Sequence, residues 1–196
     1  MDREHFAKAR LPTRDPADQA GIAGPRVGFF GALDAHLDVA IVAALAAMRP
    51  EWSFVLLGPA ARLEGGALAR ATNVHLLGAK GGAELPRYLA GWDVVLLPFV
   101  DHATTRAVAP AMLLACLAAG KPVVCTSLPE VVRPYAELGL VDVGRSPEDA
   151  SAAIACALRN QGPAFLARVD AYLRTASGQA RMTELEELAA SGTVAA

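Results

Sequence analysis

The sequence predicts a doubly wound, Rossmann-like α/β domain, a parallel sheet flanked by helices. Two observations carry that prediction. The first is the passage Ala107–Val124, in which an alanine- and leucine-rich helix ends at Gly120 and Lys121-Pro122 leads into Pro122-Val-Val-Cys-Thr126. An apolar run ending at Pro98-Phe99 precedes it, so the order is strand, loop, helix, strand, the crossover unit of a parallel sheet. The second is that the same alternation recurs along most of the chain. In such sheets ligands bind beyond the carboxyl ends of the strands, so the stretch 99–110 is expected to face the site.

Taken in order, residues 1–25 hold charges, Pro12, Pro16 and Pro25 and no sustained period, and read as a lead-in segment lying largely outside the core. The domain proper is expected over 26–190. Arg26–Gly31 is a first buried strand, and Leu37, Ile41, Leu45 and Met48 follow at helical spacing. Ser53–Gly58 and Asn73–Gly78 are the second and third strands, with a glycine-bearing connection and one short helical piece between them. Glu84–Trp92 is a short helix, Asp93–Pro98 and Pro122–Thr126 are strands four and five, and Leu140–Val143 is a sixth. Pro110 reads as the first-turn proline of the helix between strands four and five, where a missing N–H does no harm. Ser146 and Pro147 are the N-cap and first residue of the next helix. A last helical stretch runs from about Pro163 to Leu188, with a break at Ser177-Gly178 and an apolar set including Phe165, Leu166, Tyr172 and Leu173.

Composition narrows the function. The 196 residues are 54% hydrophobic and 19% charged, enough to bury a real core. A formal net charge of −2 gives no electrostatic case for nucleic acid. No apolar run reaches transmembrane length, and Met-Asp-Arg-Glu-His-Phe6 is too polar for a secretory signal. Cys116, Cys125 and Cys156 each sit in an apolar segment and read as buried reduced thiols, which fits a cytoplasmic location. Neither the cysteines nor His5 and His102 have metal-site spacing, and His75, within a strand, reads as a structural histidine. The glycines do not form the Gly-x-Gly-x-x-Gly fingerprint, so no nicotinamide cofactor is expected. No nucleophilic triad or acid–base carboxylate pair can be placed.

The wording Pro110-x7-Ala-Ala-Gly-Lys-Pro-Val-Val124 resembles the donor-site helix of retaining GT-B glycosyltransferases of the family 4 type. There the helix reads Ser-Pro-x-Lys-x-x-Glu-Tyr-x-Ala-x-Gly-x-Pro-Val-Val. Met1-Asp-Arg-Glu-His-Phe6 is similar to the phrase that opens the second domain of these enzymes, so the resemblance covers nearly all of this chain and half of the usual enzyme. The resemblance implies a nucleotide-sugar donor domain, with candidate donor-binding positions at Gly31, His36, Arg106, Pro110, Met112 and Ala115. Gly31 matches a turn that lets phosphate approach backbone N–H groups. His36, in Asp34-Ala-His-Leu-Asp38, stands where relatives carry an arginine, and Arg106 with Thr104 and Thr105 occupies the loop before the helix. Met112 replaces the family's lysine and Ala115 the glutamate that receives the ribose hydroxyls; Ala107, Ala109 and Cys116 complete the loss of polar groups.

Two readings follow. One is a donor half that binds a nucleotide-sugar or nucleoside diphosphate weakly and is not catalytic alone, with no catalytic or metal residue of its own. It would pair with itself or with a separate acceptor-domain chain. The other is a non-catalytic scaffold or interaction module. On the first, the double change Met112→Lys and Ala115→Glu is expected to restore affinity.

Overall fold

The computed structural model describes residues 2–59, 66–160 and 162–176. Six strands are present: β1 Arg26–Phe30, β2 Ser53–Leu57, β3 Val74–Leu76, β4 Val94–Leu97, β5 Val123–Thr126 and β6 Asp142–Gly144. They form one sheet in the order β3-β2-β1-β4-β5-β6, and every pairing is parallel. The doubly wound sheet is therefore as the sequence predicts. β2 and β4 are buried at every position, as central strands covered on both faces must be, which is why they read as unbroken apolar runs.

The crossover helices are α2 Val39–Met48, α3 Ala67–Arg70, α4 Leu85–Ala90 and α5 Ala103–Ala118, with a single turn, α6 Pro129–Val131, after β5, and α7 Pro147–Arg159 follows β6. Asp38 caps α2 by accepting the Ile41 N–H at 3.0 Å, and Ile41, Val42 and Leu45 go into the core. Met48, expected in that apolar stripe, is instead 42% exposed, because the helix ends there and the chain leaves at Arg49. Ser146 accepts the Asp149 N–H and Pro147 opens α7, both as predicted. At the other end of α5 the N–H groups of Gly120 and Lys121 bond to the carbonyls of Leu117 and Cys116, a Schellman closure.

Two expectations are corrected. Helix α5 starts at Ala103, so Pro110 lies inside it and Arg106 lies in its first turn rather than in a loop. His102 supplies the N-cap: its Nδ1 accepts the Thr104 N–H at 3.2 Å, and the His102 N–H donates to Thr105 Oγ1 at 3.0 Å. That reciprocal cap and the packing of Thr105 and Ala109 outweigh the one helix bond that a proline removes.

Most of the lead-in segment is exposed or half-buried, but Phe6, Ala9 and Gln19 are buried. It forms α1 Arg3–Ala7 and a 3₁₀ turn, Lys8–Arg10, and Phe6 stacks on Phe30 with ring centroids 6.1 Å apart. Arg10 donates to the carbonyls of Leu117 and Ala118, placing a cation on the open end of α5. Gln19 is fully buried; its Oε1 accepts the Trp92 Nε1–H at 2.8 Å and its Nε2 donates to Asp15 and the Tyr88 carbonyl. Arg26 Nη1 donates to Asp15 at 2.6 Å. Burial pushes the Asp15 carboxyl up, but the hydrogen bonds from Arg26 and Gln19 outweigh it and hold the group below the usual carboxylate range. The segment's polar composition conceals this role, since its polar groups are what close the backbone of α4 and α5.

The chain divides into two compact units, Met1–Gln161 and Gly162–Ala196. In the second, residues 163–176 are helical; Ser177-Gly178 and everything beyond it in the expected terminal helix lie outside the described residues.

Gln19→Ala strands the Trp92 N–H without a partner in the core. Chemical denaturation should show a loss of about 1–3 kcal/mol, and an unchanged midpoint would show that the segment is dispensable.

Candidate functional site

The strand order reverses direction between β1 and β4, and a cavity of about 320 Å³ opens beyond their carboxyl ends. Open α/β sheets place ligands at this switch point. The loop after β1 contributes Gly31, Ala32, Asp34 and His36; α5 contributes Thr104, Thr105, Val108 and Met112. Phe29 and Phe99 also line it, in an edge-to-face pair with centroids 5.9 Å apart.

Two loops are stitched together to form this wall. Asp38 N–H donates to the Pro98 carbonyl at 2.7 Å, Val100 N–H donates to the His36 carbonyl at 2.9 Å, and Leu37 bridges Phe99 in an antiparallel sense. Thr126 at the end of β5 clamps the second loop: its hydroxyl accepts the Phe99 N–H at 3.0 Å and donates to the Phe99 carbonyl at 2.7 Å. Thr105 Oγ1 lies 2.6 Å from the Val100 carbonyl, tying α5 to the same loop.

Glycine is required at the mouth for a steric reason. Gly31 has φ 146° and donates to the Leu57 carbonyl, while Gly58, at φ 158°, lies so close that a Cβ there would be 1.8 Å from the Gly31 oxygen. A Cβ on Gly31 would stand 3.1 Å from Phe29 Cζ and 3.4 Å from Met112 Cε.

Asp34 Oδ1 accepts both the backbone N–H of His36 and its ring Nδ1, each at 2.9 Å. The His36 ring lies 5.3 Å from that of His102 at an interplanar angle of 59°. The structure thus brings Gly31, His36 and Met112 to one cavity and leaves the other candidates outside it. Arg106 is exposed and held by Asp101 through two hydrogen bonds, of 2.6 and 2.9 Å. The hydrogen bond from Arg106 holds the Asp101 carboxyl below its ordinary range and raises the guanidinium in turn. Pro110 is half-buried within α5, and Ala115 is wholly buried among core residues. A glutamate at 115 would thus be introduced into the core of this fold.

Asp34, Val108 and Thr126 were not among the sequence candidates. The Asp-x-His spacing was a usable signal for Asp34, and a threonine ending an apolar strand was one for Thr126. Val108 carries no such signal. Among the described residues no group of three or more His, Cys, Asp or Glu could hold a metal ion, and no helix is long and apolar enough to cross a membrane. Cys116 and Cys125 are buried free thiols; burial pushes the first well up and the second to about 12. Cys156, expected to be buried, is only half so, because it sits on the outer part of α7, where Asn160 Nδ2 approaches its sulfur at 3.1 Å.

Residues 24–160 match the family model for glycosyl transferases group 1. The chain belongs to that family. It is 34% identical over 121 residues to TuaH of Bacillus subtilis (strain 168), which carries the name of a teichuronic acid biosynthesis glycosyltransferase. That match covers 59% of this chain and 30% of TuaH. Solved structures share the fold, among them the two that follow. Anabaena HepE, in complex with UDP and glucose, is 20% identical with a TM-score of 0.59, and the match covers 99% of this chain and 53% of HepE. The E. coli trehalose-6-phosphate protein bound with UDP-2-fluoro glucose is 14% identical with a TM-score of 0.59, over 87% of this chain and 45% of that one. This glycosyltransferase-family chain therefore spans less than a third of its curated relative and about half of each solved neighbour, and its sheet matches one Rossmann-like half of a GT-B fold.

Gly58→Ala should cost about 3 kcal/mol or more, read by urea denaturation, because the new Cβ cannot coexist with the Gly31 carbonyl. A thiol reagent at pH 8 should label Cys156 rapidly in the native protein and all three cysteines only in denaturant; rapid native labelling of Cys116 or Cys125 would refute their burial.

Proposed function

We propose that this chain is the nucleotide-sugar donor side of a GT-B glycosyltransferase, that its switch-point cavity takes a nucleoside diphosphate weakly, and that it does not transfer sugar alone. The observation that carries the reading is the cavity itself: a glycine turn after β1 facing the head of α5, with no lysine or arginine among the described residues that line it. The turn supports phosphate approach to the backbone. The missing cations account for weakness, since a charge-assisted contact to phosphate is worth about 1.5–3 kcal/mol. The UDP and UDP-sugar held by the two solved neighbours support the ligand class. Transfer would then depend on an acceptor-binding half, in a longer polypeptide, a separate chain or a second copy. A cytoplasmic site of action belongs to the same reading and is compatible with three free cysteines.

A second reading, a non-catalytic scaffold, is favoured by one specific observation: Ala109, Ala115 and Cys116 are completely buried, so that face of α5 serves the core.

Calorimetric titration with uridine, guanosine and adenosine diphosphates separates the two. Met112→Lys places an ammonium on the cavity wall, 3.4 Å being the present gap from Met112 Cε to the position of a Cβ on Gly31. It should tighten binding of at least one diphosphate about tenfold. Ala115→Glu, in contrast, should destabilise the fold by about 3–5 kcal/mol, as an unpaired buried charge does. A folded Met112→Lys protein that binds no diphosphate better than the parent would leave the scaffold reading in place.

A further inference from the structure

The side chains around the switch-point cavity differ in chemistry from the glycine turn. Phe29, Phe99, Val108 and Met112 line it together: two aromatic rings, a branched aliphatic chain and a thioether. Phe29 is 1% and Phe99 6% exposed, so each ring is packed into the protein and only its edge reaches the space. The two rings form an edge-to-face pair with an interplanar angle of 77°. Because Gly31 has no Cβ, the ring tip of Phe29 and the methyl of Met112 converge beneath it. Phe29 Cζ and Met112 Cε lie 3.1 and 3.4 Å from the place a Cβ would take. Ala32 and Val108 are exposed, and the cavity opens to solvent on their side.

We infer that this apolar floor is a binding site for an uncharged aromatic ring of about the size of phenol. Room is the first argument. A dry cavity of about 150 Å³ lined by aliphatic and aromatic side chains takes up benzene, and this one holds about 320 Å³. The distribution of charge within the rings is the second. The edge of an aromatic ring is positive and its face negative, so the Phe29 edge is met best by the face of another ring. The soft, unbranched Met112 side chain adapts to that ring and adds a sulfur–aromatic contact. A saturated ring of equal size would gain the burial without these contacts. An ionised ring would have to give up its hydration to the apolar wall. The inference does not need the donor reading. It adds a second ligand class to the same cavity, where the ring and a nucleoside diphosphate should compete.

The test is methyl NMR on protein labelled at its methionines and titrated with phenol. The Met112 methyl should shift and saturate with a dissociation constant of about 1 mM, within the reach of so small a ligand. Met48, 42% exposed at the end of α2, should stay in place and serves as the control. Cyclohexanol should bind about threefold to tenfold more weakly than phenol, and benzoate more weakly still. By ligand-observed saturation transfer, Met112→Lys should weaken phenol about tenfold, the opposite sign to its effect on a diphosphate. Val108→Phe, at a position 43% exposed, should narrow the mouth and weaken phenol while leaving the fold intact. A Met112 shift that fails to saturate, equal movement of Met48, or equal affinity for phenol and cyclohexanol overturns the inference. Phenol binding by a protein that takes up no diphosphate, with or without Met112→Lys, leaves the ring site standing and overturns the donor reading.

Discussion

The seam between the loop after β1 and the loop after β4 is the constraint on which the functional face depends. Parallel strands on either side of a switch point diverge in their connections, which open a crevice there. In this chain two backbone hydrogen bonds, Asp38 to Pro98 and Val100 to His36, draw the walls of that crevice together. Thr126 then fixes Phe99 from the neighbouring strand, and Thr105 fixes Val100 from α5. The position of His36, the start of α5 and the orientation of Met112 toward Gly31 all follow from these few bonds. Without the seam, the cavity would be two unrelated loop ends.

Basic residues in this molecule serve the backbone more than the crevice. Arg10 satisfies the last carbonyls of α5, Lys121 donates to the carbonyls of Ala90 and Trp92 at the end of α4, and Arg26 joins Asp15 to the Ile22 carbonyl. Lys121 is half-buried and its ammonium is destabilised by burial, with Asp93 opposing that shift. Arg106, by contrast, is an exposed cation held by Asp101 in a bidentate pair. Exposed pairs of this kind contribute little to stability, so its consequence is directional: the guanidinium is held away from the cavity. The crevice keeps a glycosyltransferase frame, and the described residues of its wall include Asp34 and His36 but no lysine or arginine.

What the sequence determined by itself was the sheet. Six apolar runs spaced by helical segments required a parallel, doubly wound arrangement, because strands covered on both faces leave no polar side to read otherwise. Gly120 and Ser146 were legible as helix ends for the same local reason: caps are short-range chemistry. Gly31, His36 and Met112, the candidates that line the switch-point cavity, stand at the carboxyl end of a strand or on the helix facing it, positions that the order of elements makes legible.

The tertiary structure alone decided the rest, because the deciding partners are distant in sequence. Pro110 reads locally as a helix start, yet His102 and Thr105 cap α5 seven residues earlier and packing carries the helix through the proline. Residues 2–25 read as polar lead-in, yet Gln19 is closed in by Trp92 and Tyr88, about seventy positions away. Arg106 and Ala115 match positions of a family motif, but a motif fixes spacing along the chain and not the side chain's neighbours. Asp101 took the first, and the core took the second.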